Sequence, residues 1–212
     1  MLFHLIKKDF LIVKKYVLIM LVAATLIPPV MRWRTPEFAG TFGFILSVIF
    51  SVFMLLQYVS LKEYQYPKAA TLLCAAPFSR SMMVLSKYIF CISIYVACCI
   101  IFGIETLLIP GLGTSSIALF ILMFFVTSVF IGIYFPIQYK LGYEKTKFAF
   151  AVIIVASPFV LPVLMRMDTV NWNFLAPIPA YLLYGGVLAG GIIILLLSSI
   201  LSIKIYNATD LA

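Results

Sequence analysis

Six long apolar runs, separated by short polar intervals, decide what this chain can become. They cover approximately residues 16–31, 38–61, 84–109, 115–138, 148–165 and 178–203. Each approaches the ~20 residues that a helix needs to cross a ~30 Å hydrocarbon core, and interfacial residues complete the shorter ones. The runs are continuous rather than alternating, which selects helices over a β-barrel. With 65% hydrophobic and 10% charged residues and a mean hydropathy of +1.18, the composition lies far from that of soluble domains. The polar intervals are too short to build a soluble core. The expected fold is all-α and integral to the membrane: a single transmembrane domain over residues 1–212 with six transmembrane helices.

The opening stretch, MLFHLIKKDFLIVKK, lacks the small-residue cleavage site of a secretory leader. Leu2, Phe3, Leu5, Ile6, Phe10, Leu11 and Val13 share much of one helical face, with Lys7, Lys8, Asp9, Lys14 and Lys15 on the other. That pattern predicts an amphipathic helix lying in the membrane interface, and His4 reads as an interfacial side chain. The net charge of +8 is spread in small groups beside apolar runs, which encodes orientation rather than a nucleic-acid surface. Lys7, Lys8, Lys14, Lys15, Lys62, Lys68, Arg80, Lys87, Lys140, Lys145, Lys147 and Lys204 fall on one side of the six-span topology. Arg32, Arg34 and Arg166 are all that remain of the 15 basic residues for the other. The first side, with both termini, is therefore expected in the cytoplasm, and Trp33 and Trp172 fall on the outer side. Cys74, Cys91, Cys98 and Cys99 have neither pairing nor zinc spacing and read as inert thiols in apolar surroundings.

The interval from Lys62 to Lys87 is the longest that cannot lie inside a bilayer. Pro67 suits the first position of a helix and Pro77 would break it. Between them, KAATLLCAA makes a helix of about ten residues, roughly 15 Å long. Ser79 then reads as the N-cap of the next span. A short small-residue helix at the membrane surface, between spans two and three, is the candidate functional element. The outer loop at 166–179 reads either as an ordinary proline-rich loop or as a short re-entrant element bounded by Pro177 and Pro179.

Reactive constellations are missing from the sequence. No GxxxxGK[ST] phosphate loop occurs, and no His, Cys, Asp or Glu cluster has metal spacing. Gly185-Gly186 and Gly190-Gly191 read as close helix-packing positions. Glu105 is the one acid within an apolar run. It lies about 27 Å along a helix from Lys87, near the outer surface, where it is either solvated or in contact with cargo.

Four segments in order carry a resemblance that spans nearly the whole chain. LIKKDFLIVKK from Leu5, the Glu63–Tyr88 stretch with LLCAAPFSR and VLSKY, PIQYKLGYEKTK from Pro136, and SIKIYNATD from Ser202 resemble the membrane subunit of bacterial type-two ATP-binding-cassette transporters, in the small six-span branch. Ala76 stands where that family usually has leucine, and Ala208 and Thr209 stand where it commonly has lysines. The resemblance implies a permease, one of two copies or paralogues, over separate ATPase subunits. ATP and magnesium would sit on those subunits, so this chain would carry no cofactor and catalyse nothing itself. It implies a coupling helix in this loop that docks on the ATPase; the coupling residues would be Lys68, Ala69, Leu72, Leu73, Ala75, Ala76 and Pro77 in the 67–77 stretch, with Glu63 and Arg80 holding its two ends. It also implies a location in the bacterial inner membrane and export of hydrophobic or amphipathic cargo, peptides first. The competing expectation is a membrane regulator or assembly protein that binds a soluble partner through the same loop without transport. A membrane-embedded enzyme is a third class, for which the sequence offers no reactive group.

Overall fold

The computed structural model describes residues 2–34, 39–66, 79–109, 116–148, 151–152 and 179–208. Helices account for nearly all of them, and the described residues contain no strand. In chain order they form α1 (Leu2–Ile12), α2 (Lys14–Arg34), α3 (Ala39–Gln65), α4 (Arg80–Leu108), α5 (Ile117–Leu141) and α6 (Ala180–Ala208), with a further helical stretch over 143–148. Five of these, α2 to α6, are long and apolar enough to cross a membrane. They coincide with five of the expected runs. The remaining run, 148–165, lies almost wholly outside the described residues, as does the loop at 166–178.

The first span holds two prolines near its far end, and α2 continues as helix through both Pro28 and Pro29 to Arg34. A proline within a helix leaves the carbonyl four residues earlier without its partner. For Pro28 that carbonyl is Ala24's, and Ser47 of α3 donates its hydroxyl to it at 3.4 Å. Re-satisfying a freed carbonyl from a neighbouring helix is how membrane spans tolerate proline. Gly43, one turn before Ser47, lets the two helices approach: a Cβ there would lie 3.0 Å from Pro28 Cα.

α3 is the most enclosed span, with 67% of its apolar window buried against 17% for α2. Val48, Val52, Leu56 and Val59 of α3 meet Val84, Cys91 and Cys98 of α4 and Ile131 of α5 in one continuous core. Lipid is as apolar as leucine, so packing shape rather than water exclusion holds spans together. Aromatic side chains supply much of that shape: Phe44 stacks on Phe102 at 4.7 Å and meets Phe120 edge-on at 5.3 Å. α5 and α6 form a close pair. A Cβ on Gly132 would fall 2.9 Å from Ile194, and one on Gly191 3.1 Å from Phe124. Gly190 and Gly191 thus serve as the expected packing positions. At Gly185 and Gly186 a Cβ would meet nothing within 4 Å among the described residues. Tyr88 ties α4 to the same pair, its hydroxyl 2.7 Å from Ser198 Oγ and 2.8 Å from Ser202 Oγ. Ser198 in turn donates to the Gly132 carbonyl at 2.7 Å.

The N-terminal helix departs from expectation. Its buried residues are Leu5 and Asp9, in line with Val13 just past its end, while Phe3 and Leu11 are 73% and 60% exposed. Asp9, expected on the polar face, faces the bundle instead, and Phe10 packs edge-on against Phe90 of α4 at 4.8 Å. The apolar residues α1 leaves outside suit a lipid interface. Among the described residues, Cys91 and Cys98 are buried free thiols and Cys99 is half-buried. Cys74 lies outside them.

Candidate functional site

α3 ends at Gln65, and Tyr66 closes the final turn by donating its N–H to the Lys62 carbonyl at 3.1 Å. α4 begins at Arg80 behind an N-cap serine: Ser79 is extended, and its hydroxyl accepts the Met82 N–H at 3.3 Å. An N-cap serine satisfies one of the orphan N–H groups of the first turn. The expected coupling helix and its contact residues Lys68, Ala69, Leu72, Leu73, Ala75, Ala76 and Pro77 lie outside the described residues. What the structure describes is how the two flanks of that interval are held.

Glu63 and Arg80, expected to hold the two ends of the coupling helix, are both engaged but not with each other. Glu63, in the last turn of α3, forms a hydrogen-bonded ion pair with Lys87 of α4 through Oε2. Its other oxygen lies 3.8 Å from Lys8 of α1. Lys8 Nζ is also 3.1 Å from Asp9 Oδ1. That contact is an ion pair, and by hydrogen-bond geometry neither Asp9 oxygen has a partner among the described residues. The Lys87 ammonium sits 5.3 Å from the centre of the Tyr139 ring of α5, a cation–π arrangement in a poorly solvated place. Arg80 reaches the opposite way, donating from Nη1 to the Asn207 carbonyl at the end of α6, at 3.3 Å.

One flank of the interval is therefore tied to α1 and α4, and the other to the C-terminal helix. All the ends involved lie at one end of the bundle. The side chains that meet there come from α1, from both flanks of the 62–87 interval, from the end of α5 and from the end of α6. These are the segments that charge counting assigned to a common side. Lys87 was expected only to mark the interface, and Asp9 only to face solvent. The signal for Asp9 was its i, i+4, i+8 register with Leu5 and Val13, two apolar residues.

Burial pushes the Asp9 carboxyl above its ordinary value of 3.8, while the Lys8 ammonium pulls it down. A carboxyl raised in the folded state disfavours folding at neutral pH. Its penalty is lifted as pH falls through the folded value toward the unfolded one. Asp9→Asn is therefore expected to raise the unfolding temperature at pH 7. The gap from the parent should close as pH is lowered toward about 4. A thermal-unfolding series across pH checks both points, and a lower unfolding temperature for Asp9→Asn at pH 7 would refute them.

At the far end of α4, Glu105 is 8% exposed, and neither carboxylate oxygen has a hydrogen-bond partner among the described residues. Of the two expected readings, solvated or in contact with cargo, the solvated one thus gives way to a buried side chain. α4 turns one helical turn later, where Ile109 donates its N–H to the Glu105 carbonyl at 2.9 Å.

The family profile described as ABC-2 family transporter protein matches residues 4–207. No curated protein and no solved structure matches the chain. The matched region begins in α1 and ends at Asn207, so it takes in every helix end that meets around Glu63. On that match, the chain belongs to the ABC-2 family of transporter proteins.

Proposed function

We propose that this chain is the permease subunit of an ATP-driven exporter, paired with a second permease and coupled to separate ATPase subunits. Family membership makes it a membrane transport component and implies ATP-binding-cassette ATPase partners in general. The finer reading rests on one observation. The two flanks of the 67–78 interval are anchored to different parts of the bundle, Glu63 to Lys87 and Lys8 and Arg80 to the end of α6. A segment held at both ends in this way passes a push from below into several helices at once. Residues 67–77 would be the coupling helix, on the cytoplasmic face of an inner membrane, with both termini on that face. Ala69, Ala75 and Ala76 would allow close approach to the ATPase, and Leu72 and Leu73 would fill its groove. The cargo would be a hydrophobic or amphipathic peptide, moved outward. ATP and magnesium would be held entirely by the partner subunits.

Bulk at a fitted contact tests the reading. Overpacking typically costs about 1–3 kcal/mol, one to two decades in binding. Ala75→Trp and Ala76→Trp are expected to reduce ATPase copurification by roughly ten- to a hundredfold while the permease still inserts in the membrane. A tryptophan at Thr114 or Ser115, in the opposite loop, should leave copurification unchanged. Wild-type copurification and cargo movement in both coupling-loop variants would exclude this segment as the transmission element.

A further inference from the structure

The end of the bundle that carries the Glu63 pair also encloses a cavity of about 560 Å³, within the 300–1,000 Å³ range usual for small-ligand sites. Its charged lining is Lys8, Lys62, Lys87 and Glu63. Three cations against one anion leave the wall basic by two formal charges, and by one if Asp9, which stands behind Lys8 with no exposed surface, is counted. Lys87 is held by Glu63, and Lys8 lies between Glu63 and Asp9. Lys62 donates to Gln65 Oε1 at 3.0 Å, which leaves further ammonium donors free, since a lysine has three.

A second observation points into the same space. Gln138 of α5 lines the cavity and is 8% exposed, yet its carbonyl oxygen has no hydrogen-bond partner among the described residues. A buried acceptor without a donor is costly, and native structures usually fill the deficit with water or ligand. The lining thus offers ammonium groups for an anion and an amide acceptor for a hydroxyl. The rest of the wall is mostly apolar, with Ile12 and Met83 beside tyrosines such as Tyr139, Tyr143 and Tyr206.

Depth limits the ligand further. α4 has 29 residues, about 43 Å of helix, so it overhangs a ~30 Å hydrocarbon core by roughly 6 Å at each end. Lys87 lies about 10 Å from the start of α4, about 4 Å inside that boundary, from which a lysine stem reaches the headgroup level. Tyrosines at that level are the usual interfacial anchors, and basic pockets between spans at that level suit anionic headgroups.

We infer that this cavity binds the headgroup of an anionic phospholipid, its phosphate against Lys8 and Lys62 and a headgroup hydroxyl donating to Gln138. A free phosphate ester shares the phosphate chemistry, but it has nothing to lay against the apolar part of the wall. The inference does not depend on the ATPase reading, because lipid affinity is measured on this chain alone.

The test uses the purified full chain, stripped of lipid in a neutral detergent, with thermal unfolding and native mass spectrometry as readouts. Phosphatidylglycerol should raise the unfolding temperature and remain bound. Phosphatidylcholine with the same chains should do neither. A lysine beside the lipid phosphate is worth about fivefold, so Lys62→Gln should weaken phosphatidylglycerol about fivefold and Lys8→Gln with Lys62→Gln about 25-fold. Lys62 forms no ion pair among the described residues, so its single variant keeps the test alive if the double variant fails to fold. Lys140→Gln with Lys145→Gln removes two charges from exposed positions at the same end and should change nothing. Equal binding of phosphatidylcholine would overturn the site. So would a loss in the Lys140/Lys145 control equal to that of Lys8/Lys62, since the effect would then be diffuse surface charge. A full shift with glycerol phosphate alone would assign the cavity to a free phosphate ester and overturn the lipid.

Discussion

Lys87→Met is expected to destabilise the protein by about 3 kcal/mol, roughly 6–12 °C in unfolding temperature for a chain of this size. The Lys87 side chain is 11% exposed and its partner Glu63 30% exposed. Removing one partner of a buried pair typically costs about 3–5 kcal/mol, because the other charge is left poorly solvated. The partial exposure of Glu63 puts the expectation at the low end. Methionine keeps the length of the stem, so lost packing contributes little. Three anchors fail together: the tie from α4 to the end of α3, the cation over Tyr139, and part of the positive field around Asp9. Glu63→Leu combined with Lys87→Met removes both charges and should recover most of the loss, since an apolar replacement of a buried pair is often neutral or better. The informative quantity is the coupling in the double-mutant cycle. If the double variant lost the sum of the two single losses, Glu63 and Lys87 would be independent and the anchoring argument would fail. Under the proposed function, Lys87→Met should also leave ATP hydrolysis poorly linked to cargo movement, because the α3 flank of the coupling segment is no longer tied to α4.

The parts of this architecture that sequence reveals are those set by single-residue properties. Five spans follow from runs of apolar side chains, and α3 to α6 fall within a few residues of where hydropathy puts them. The side on which helix ends gather follows from where lysines are tolerated. The Ser79 cap was legible because a serine before an apolar run has one favoured role there. Partnerships across the bundle were hidden. Nothing in the order of residues pairs Glu63 with Lys87 rather than with Arg80, since all three flank the same interval. The choice is made by how α3 and α4 cross. Asp9 was hidden for a related reason, because a helix of alternating charge and grease has more than one way to divide its faces. Once α1 packs on α4, Leu5, Asp9 and Val13 turn inward together. Counting helical rise put Glu105 near one end of its span, and it lies in the last turn of α4, but its burial depends on neighbouring helices. The helix through Pro28 and Pro29 has the same origin, since a donor on another span makes it tolerable.

That donor gives the last expectation. Gly43→Ala should destabilise the protein by about 1–3 kcal/mol, the usual range for overpacking a fitted contact. The added methyl would lie 3.0 Å from Pro28 Cα and 3.3 Å from Pro28 Cβ. Those are atoms of a rigid ring and its backbone, so the strain cannot be relieved by a rotamer change and α2 must move away from α3. The same movement would lengthen the Ser47–Ala24 contact, already 3.4 Å, and uncover the carbonyl that Pro28 leaves without a partner. Gly103→Ala is the control of opposite sign. A Cβ there meets nothing within 4 Å among the described residues, and alanine in mid-helix is favoured over glycine by about 0.5–1 kcal/mol. Pro28→Ala separates steric from hydrogen-bond effects. It restores an N–H that can reach the Ala24 carbonyl, so Ser47→Ala should cost about 1 kcal/mol in the parent and almost nothing beside Pro28→Ala. If Ser47→Ala costs the same in both backgrounds, its hydroxyl is not what completes the α2 ladder at Pro28. If Gly43→Ala proves as harmless as Gly103→Ala, α2 and α3 are not in close contact at this point.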